Sequence, residues 1–140
     1  MRYYFDSNIF IYAFEYATEI SFAARRAFER VEDGAATAVT SIYTLGEIPP
    51  HAIRNDGLAL QTTYRSLFED MSGIDIVPIT AELMEAAARI VADVQLRLPD
   101  AIHIASAIHA RCDALLTEDT GIRSMNQIPV IRLSDPAFAP

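Results

Sequence analysis

Lysine is absent from this 140-residue chain: all eleven basic residues are arginine, set against 19 aspartates and glutamates, for a formal net charge of −8. So acidic a domain lacks the basic face by which proteins usually hold duplex DNA, and any nucleic-acid role has to overcome repulsion between like charges. Arginine still offers a planar fork that grips a phosphate by two oxygens, so a few well-placed side chains could hold RNA. Cysteine is nearly missing too. The one thiol, Cys112, has no partner for an internal disulfide or a zinc knuckle, and is expected as a small buried apolar residue; redox chemistry is set aside. No stretch of about 18 residues is both apolar and uncharged, as a membrane-spanning helix requires, and no basic segment precedes an apolar one at the N-terminus. These absences point to a cytoplasmic protein with no membrane partner.

What is present is a hydrophobic share of 51%, enough for a real core, in a length that suits a single domain over residues 1–140. "RYYFD" reads as a short buried strand ending at Asp6. Left unpaired among Tyr3, Tyr4, Phe5, Ile9 and Phe10, that carboxylate would cost on the order of several kcal/mol. Ser7 is suited to cap the helix "SNIFIYAFE". From Glu19 to Asp33, apolar residues Ile20, Ala23, Ala24, Ala27, Phe28 and Val31 recur at helical spacing, Phe22 lies off the stripe, and Gly34 closes the segment. "AATAVTS" has a strand pattern, after which Ser41 could cap a helix carrying Glu47. Pro49 and Pro50 come next; each lacks a donor and crowds the preceding turn, so a break or a kink is expected.

Residues 58–71 resume a helical pattern, with Leu60, Tyr64, Leu67, Phe68 and Met71 on one side and Ser72 and Gly73 at the end. "DIVPI" looks like a strand. Thr80 caps a helix expected through "TAELMEAAARIVADVQLRL", with Leu83, Ala86, Ala87, Ile90 and Val94 as its apolar stripe. Pro99 suits the first turn of another helix and places Asp100 at the positive end of its dipole. "ALLT" is a strand candidate, "EDTGIRSM" a loop or short helix, and "PVIRL" a final strand. Strands alternating with helices imply an α/β fold with a parallel sheet, whose ligands bind beyond the carboxyl ends of the strands.

That edge gives Asp6 a purpose. Asp6 follows the first strand, Asp119 follows "ALLT", and Glu47 and Asp100 lie near helix starts that could face the same side. Four such acids would repel one another and push a pKa upward unless a cation joined them. With Mg2+ or Mn2+ they become a hard-oxygen site. Singly, each has a plainer role: Asp6 as a helix cap, Asp100 as a dipole partner, Asp119 as a turn former, Glu47 as a solvated surface group. His103, one turn after Asp100, is expected to be satisfied by its neighbours rather than to serve the site, and His51 and His109 offer less.

The segments "YYFDSNIFIYAF", "SIYTLGE", "LPDAIHIASAI" and "LLTEDTGI", in this order and at these separations, resemble the four acidic signatures of the PIN domain, and more narrowly those of VapC-type toxin ribonucleases. The resemblance spans nearly the whole chain. It implies a three-layer α/β/α fold with a central, mostly parallel sheet of four to five strands. It implies metal-ligand roles for Asp6, Asp100 and Asp119, with Glu47 as the fourth catalytic acid, acting partly through water. Ser7, Asn8 and Thr117 match polar positions that support those acids. Glu118 could substitute for or assist Asp119. The chain departs from the pattern at Pro49 and Pro50, where the family helix normally continues, and at "TGI", where an aromatic residue is common a few positions on.

The implied activity is endoribonuclease cleavage by metal-assisted hydrolysis: water attacks the phosphorus in line and leaves a 5′-phosphate and a 3′-hydroxyl, with no covalent enzyme intermediate. Arg25, Arg26 or Arg97 could help the metal offset the anionic cleft, and a single-stranded RNA loop is the easier substrate to splay into it. The resemblance also implies a small antitoxin whose tail covers the cleft, and a homodimer. Independently, the aromatic segments Phe10 to Phe14, Phe22 to Phe28 and Tyr64 to Phe68 suggest more apolar surface than such a core buries, and so an interface. Two other acid-bearing classes fail on the residues: a phosphotransfer receiver needs a lysine, and a haloacid-type phosphatase needs an aspartate where Asn8 stands. The remaining rival is a PIN-like protein that only binds or scaffolds.

Overall fold

Alternation of side chains along short β-rich segments sets the architecture. The computed structural model describes residues 1–55, 57–70, 73–125 and 127–136. Within them, strands β1 (Arg2–Phe5), β2 (Thr37–Ser41), β3 (Ile74–Val77), β4 (Ala114–Leu116) and β5 (Val130–Ile131) form one sheet in the order β3-β2-β1-β4-β5. Every pairing is parallel; Tyr4 on the central strand stands opposite Val39 on one side and Leu115 on the other. Successive side chains leave a strand on opposite faces, so the sheet feeds two cores. Tyr3, Phe5, Ala38, Ala114 and Leu116 join one, while Tyr4, Val39 and Leu115 join the other.

Six helices cover these faces: α1 (Ser7–Glu15), α2 (Glu19–Glu32), α3 (Thr44–Asn55), α4 (Leu58–Asp70), α5 (Ala81–Val94) and α6 (Leu98–His109). The first core takes Ile9 and Phe10 from α1, Ala24 and Phe28 from α2, Ile48 and Ala52 from α3, and Tyr64 from α4. The second takes Leu83 and Ala87 from α5, and Ala101, Ile104 and Ala105 from α6. The result is the three-layer α/β/α arrangement with a parallel five-stranded sheet that the sequence implies. None of the described helices is long and apolar enough to cross a membrane.

Local differences from the sequence reading have identifiable causes. Asp6, not Ser7, is the N-cap of α1: its carboxylate accepts from the Ser7 backbone N–H, and Ser7 is the first helical residue. Ser41 ends β2, and its hydroxyl accepts from the Tyr43 N–H in a tight turn (3.0 Å) rather than capping a helix; α3 begins at Thr44. That helix is not broken at Pro49 and Pro50, which lie inside it. The prolines remove the donors that would reach the carbonyls of Leu45 and Gly46, but fully buried Ile48 and Ala52 flank them and hold the helix to the core. Thr80 caps α5 as expected, through the Leu83 N–H (3.1 Å). The helix stops at Val94 because Gln95 turns to φ 54°, four residues before the pattern runs out. Met71 and Ser72 lie outside the described residues. Cys112 is half-buried, and burial pushes its thiol up to about 11.

The aromatic segments are mostly core. Phe10 packs edge-on against Phe28 at 5.1 Å between centroids and lies 5.3 Å from Phe68. Phe28 and Tyr64 are buried too, whereas Phe22 stays 59% exposed. Most of the surplus apolar surface expected of these segments is therefore consumed by the fold.

Candidate active site

Because β1 and β4 are parallel neighbours, the chain leaves both at the same edge, and the Asp6 N–H donates to the Leu116 carbonyl there (3.1 Å). Asp6 is only 3% exposed. One carboxylate oxygen accepts from the Ser7 N–H at 2.7 Å and lies 3.3 Å from the Ser7 hydroxyl; the other accepts from the Thr117 hydroxyl at 2.6 Å. Thr117 Oγ1 in turn accepts from Asn8 Nδ2 (3.1 Å) and from the Asp119 N–H (3.0 Å), while Asn8 Oδ1 accepts from the Glu118 N–H (3.3 Å). A single hydroxyl thus ties the end of β1, the start of α1 and the loop after β4. Burial raises the Asp6 carboxyl above its ordinary value, an effect that His103 and the Thr117 hydrogen bond oppose.

Asp100 comes from the first turn of α6 and is 5% exposed. Its carboxylate accepts from Arg97 Nε (3.2 Å) and Nη2 (3.4 Å), and the same Nη2 lies 3.6 Å from Asp119 Oδ2. Gly121 shows how close these two acids approach: a Cβ there would stand 3.1 Å from Asp119 Oδ1 and 3.5 Å from Asp100 Oδ2. Glu118, the alternative to Asp119, turns elsewhere and accepts from the Leu133 backbone N–H. Arg132 pins the loop between them by donating to the carbonyls of Thr117, Asp119 and Ile122.

Glu47 reaches the edge from the first turn of α3, and its Oε1 lies 2.6 Å from His103 Nε2. That same nitrogen is 3.4 Å from Asp6 Oδ1, and one donor atom from each of the three residues falls within 4.8 Å of the others. His103 is buried on α6, with Tyr4 Oη 2.7 Å from its Nδ1. Burial alone would lower the imidazole pKa, but the Glu47 hydrogen bond and the charges of Asp6, Glu47 and Asp100 outweigh it and raise the value. All four sequence-singled acids therefore meet at one end of the sheet, with His103 between Asp6 and Glu47 and Arg97 between Asp100 and Asp119. His103 has a partner at each ring nitrogen, but two of its neighbours are site acids, so the expectation that it stands apart from the site is not met. The available signal was its spacing: three residues after Asp100, it shares that acid's helix face. Arg132 and Tyr4 carried no such signal. Arg25 is engaged at the opposite end of α1, donating to the carbonyls of Ala13 and Tyr16.

Four carboxylates thus gather at the carboxyl edge of a parallel α/β sheet, the edge at which folds of this class bind their ligands. The chain belongs to the PIN domain family, whose model matches residues 3–127. No curated protein matches the sequence. Among solved structures, it is similar to a chain of a toxin–antitoxin complex from Klebsiella pneumoniae, with 26% identity and a TM-score of 0.70 over 94% of this chain and 98% of that one. It also resembles Mycobacterium tuberculosis VapC20, described as a sarcin-ricin loop cleaving toxin, at 15% identity and TM-score 0.71, over 84% of this chain and 90% of that one. A third likeness is to VapBC2 from Rickettsia felis bound to a promoter DNA fragment: 14% identity, TM-score 0.70, 94% and 98% of the two chains.

Proposed function

We propose that this chain is the toxin ribonuclease of a toxin–antitoxin pair, hydrolysing RNA phosphodiesters with Mg2+ or Mn2+ held by Asp6, Asp100 and Asp119. The observation that carries the reading is the gathering of acids at one sheet edge: Asp6 and Glu47 stand with His103 within 4.8 Å of one another, Asp100 and Asp119 are bridged by Arg97, and Asp6 and Asp100 are buried. The donor set fits a hard divalent cation: it is built from carboxylate oxygens, and Asp6 has its hydrogen-bonding neighbours arranged to hold it in place. When bound, such an ion supplies a water of lowered pKa and a counter-charge for the phosphate under attack.

The chain's own residues do the rest. Ser7, Asn8 and Thr117 fix the Asp6 carboxylate and the backbone that presents Asp119. Arg97, largely exposed and three residues before Asp100, can exchange its carboxylates for an RNA phosphate. A single-stranded loop is easier than a duplex to splay onto this anionic edge, and the likeness to a toxin described as sarcin-ricin loop cleaving is consistent with that. The partner in this reading is an antitoxin with a cationic tail that covers the acids, acting on a homodimeric toxin in the cytoplasm; the likeness to toxin–antitoxin complexes supports it.

Purified protein incubated with a structured RNA mixture and Mn2+ is expected to cut, leaving 5′-phosphates, and to stop on addition of EDTA or in Asp6→Asn. No cleavage by folded, metal-binding, partner-free protein would favour the non-catalytic PIN-like binding module instead.

A further inference from the structure

Glu47 is carried by a helix weakened where the acid needs support. Pro49 and Pro50 withdraw two backbone donors from the turn that follows it, and the Glu47 side chain is 31% exposed. Its orientation must come from elsewhere, and the described contact that sets it is the 2.6 Å hydrogen bond to His103 Nε2. His103 is itself held by two tyrosines. Tyr4 Oη lies 2.7 Å from Nδ1, and the rings of Tyr4 and Tyr43 pack edge-on against the imidazole, each with its centroid 5.8 Å away. Tyr4 comes from the central strand, His103 from α6 and Glu47 from α3, so the relay joins three elements.

We infer that His103, locked by Tyr4, is a positioning residue that aims the Glu47 carboxylate at the cation held by Asp6 and its fellow acids. The inference rests on the nuclease reading and deepens it. If the Tyr4 hydroxyl donates to Nδ1, the proton of a neutral imidazole resides on Nε2 and points at Glu47, so the arrangement works without a charged histidine. An outer partner of this kind contributes to metal binding without touching the metal, and its loss typically costs 10- to 100-fold in metal affinity or activity.

The test is a double-mutant cycle on Mn2+ affinity, read from the free-Mn2+ signal in electron paramagnetic resonance, with RNA cleavage measured alongside. His103→Leu is expected to weaken Mn2+ binding about 10- to 100-fold. His103→Gln, whose amide can still donate to Glu47, recovers most of that loss. Adding Glu47→Gln to His103→Leu costs little more than either change alone, because both remove the same contribution. Should His103→Leu fail to fold, Tyr4→Phe replaces it in the cycle; it keeps the ring and removes only the hydroxyl that locks the imidazole, and a smaller loss of the same sign is expected. Losses that simply add, wild-type Mn2+ affinity in a folded His103→Leu protein, or a directly bound imidazole nitrogen seen as 14N coupling to Mn2+ would each overturn the positioning role while leaving the nuclease reading intact. Wild-type protein that neither binds Mn2+ nor cuts RNA would overturn both.

Discussion

Thr117 concentrates more of the site's geometry than any of the acids. Its hydroxyl donates to Asp6 and accepts from both Asn8 and the Asp119 backbone. Thr117→Val keeps the shape but strands these partners in a buried place, and each buried polar group left without a partner costs about 1–3 kcal/mol. The expected outcome is a measurable loss of stability by denaturant titration and a drop in cleavage of about 10- to 100-fold, since Asp6 and Asp119 lose their common tether. His103 supplies a pH dependence. Its folded pKa is raised above the ordinary 6.5, so the stability it contributes is complete below 6.5 and is lost as pH rises through the raised folded value. Metal-free protein is therefore expected to melt at a lower temperature at pH 8 than at pH 6, and His103→Gln to flatten that difference. At this scale the acids were legible together rather than singly: each has a plain local role, Asp6 as the cap of α1 among them, but four at strand ends and helix starts of one parallel sheet share an edge. Arg132 was not, because its value lies in three backbone carbonyls that only the folded loop brings together.

Helix α3 shows what a local rule cannot decide. Two adjacent prolines argue for a break, yet the helix runs from Thr44 to Asn55 because Ile48 and Ala52 bury their side chains against α1 and the sheet. The clash and the missing donors remain a local cost. Pro50 is exposed, so Pro50→Ala is expected to stabilise the protein by about 1–3 kcal/mol, part of the helix-interior difference between the two residues being offset by the greater freedom of the unfolded alanine chain. Equilibrium unfolding measures this, and a destabilised variant would mean that the proline ring packs against something the helix needs. The strands and the cap of α5 were readable from period and turn chemistry. The end of α5 was not: Gln95 adopts a left-handed conformation where no glycine announces it, so the apolar pattern runs past the true boundary. The helix caps moved for a related reason. Aspartate and serine in succession both suit an N-cap, and the sheet edge selects Asp6 by fixing its backbone to Leu116.

For the molecule as a whole, the formal charge of −8 and the clustering of four acids at one end act in the same direction. Folding brings Asp6, Glu47, Asp100 and Asp119 together from positions spread along most of the chain, so the metal-free native state carries a repulsion that the unfolded chain spreads out. His103 and Arg97 offset part of it from within. A divalent cation bound by the native edge, and not by the unfolded chain, must then raise stability by mass action, by about 2.7 kcal/mol at a hundredfold excess over its dissociation constant. For a domain of this size each kcal/mol moves the melting temperature by about 2–8 °C, so EDTA-stripped protein titrated with Mn2+ should show a melting temperature that climbs by several degrees and keeps rising with the logarithm of the concentration. Asp6→Asn separates the two contributions. It removes one charge from the crowded edge, a gain set against the loss of one of the two oxygens that accept from Ser7 and Thr117, so the metal-free variant should stay close to the wild type in stability while its response to Mn2+ shrinks. A variant that is less stable without metal yet responds fully to Mn2+ would place the ion elsewhere and leave Asp6 as a helix cap.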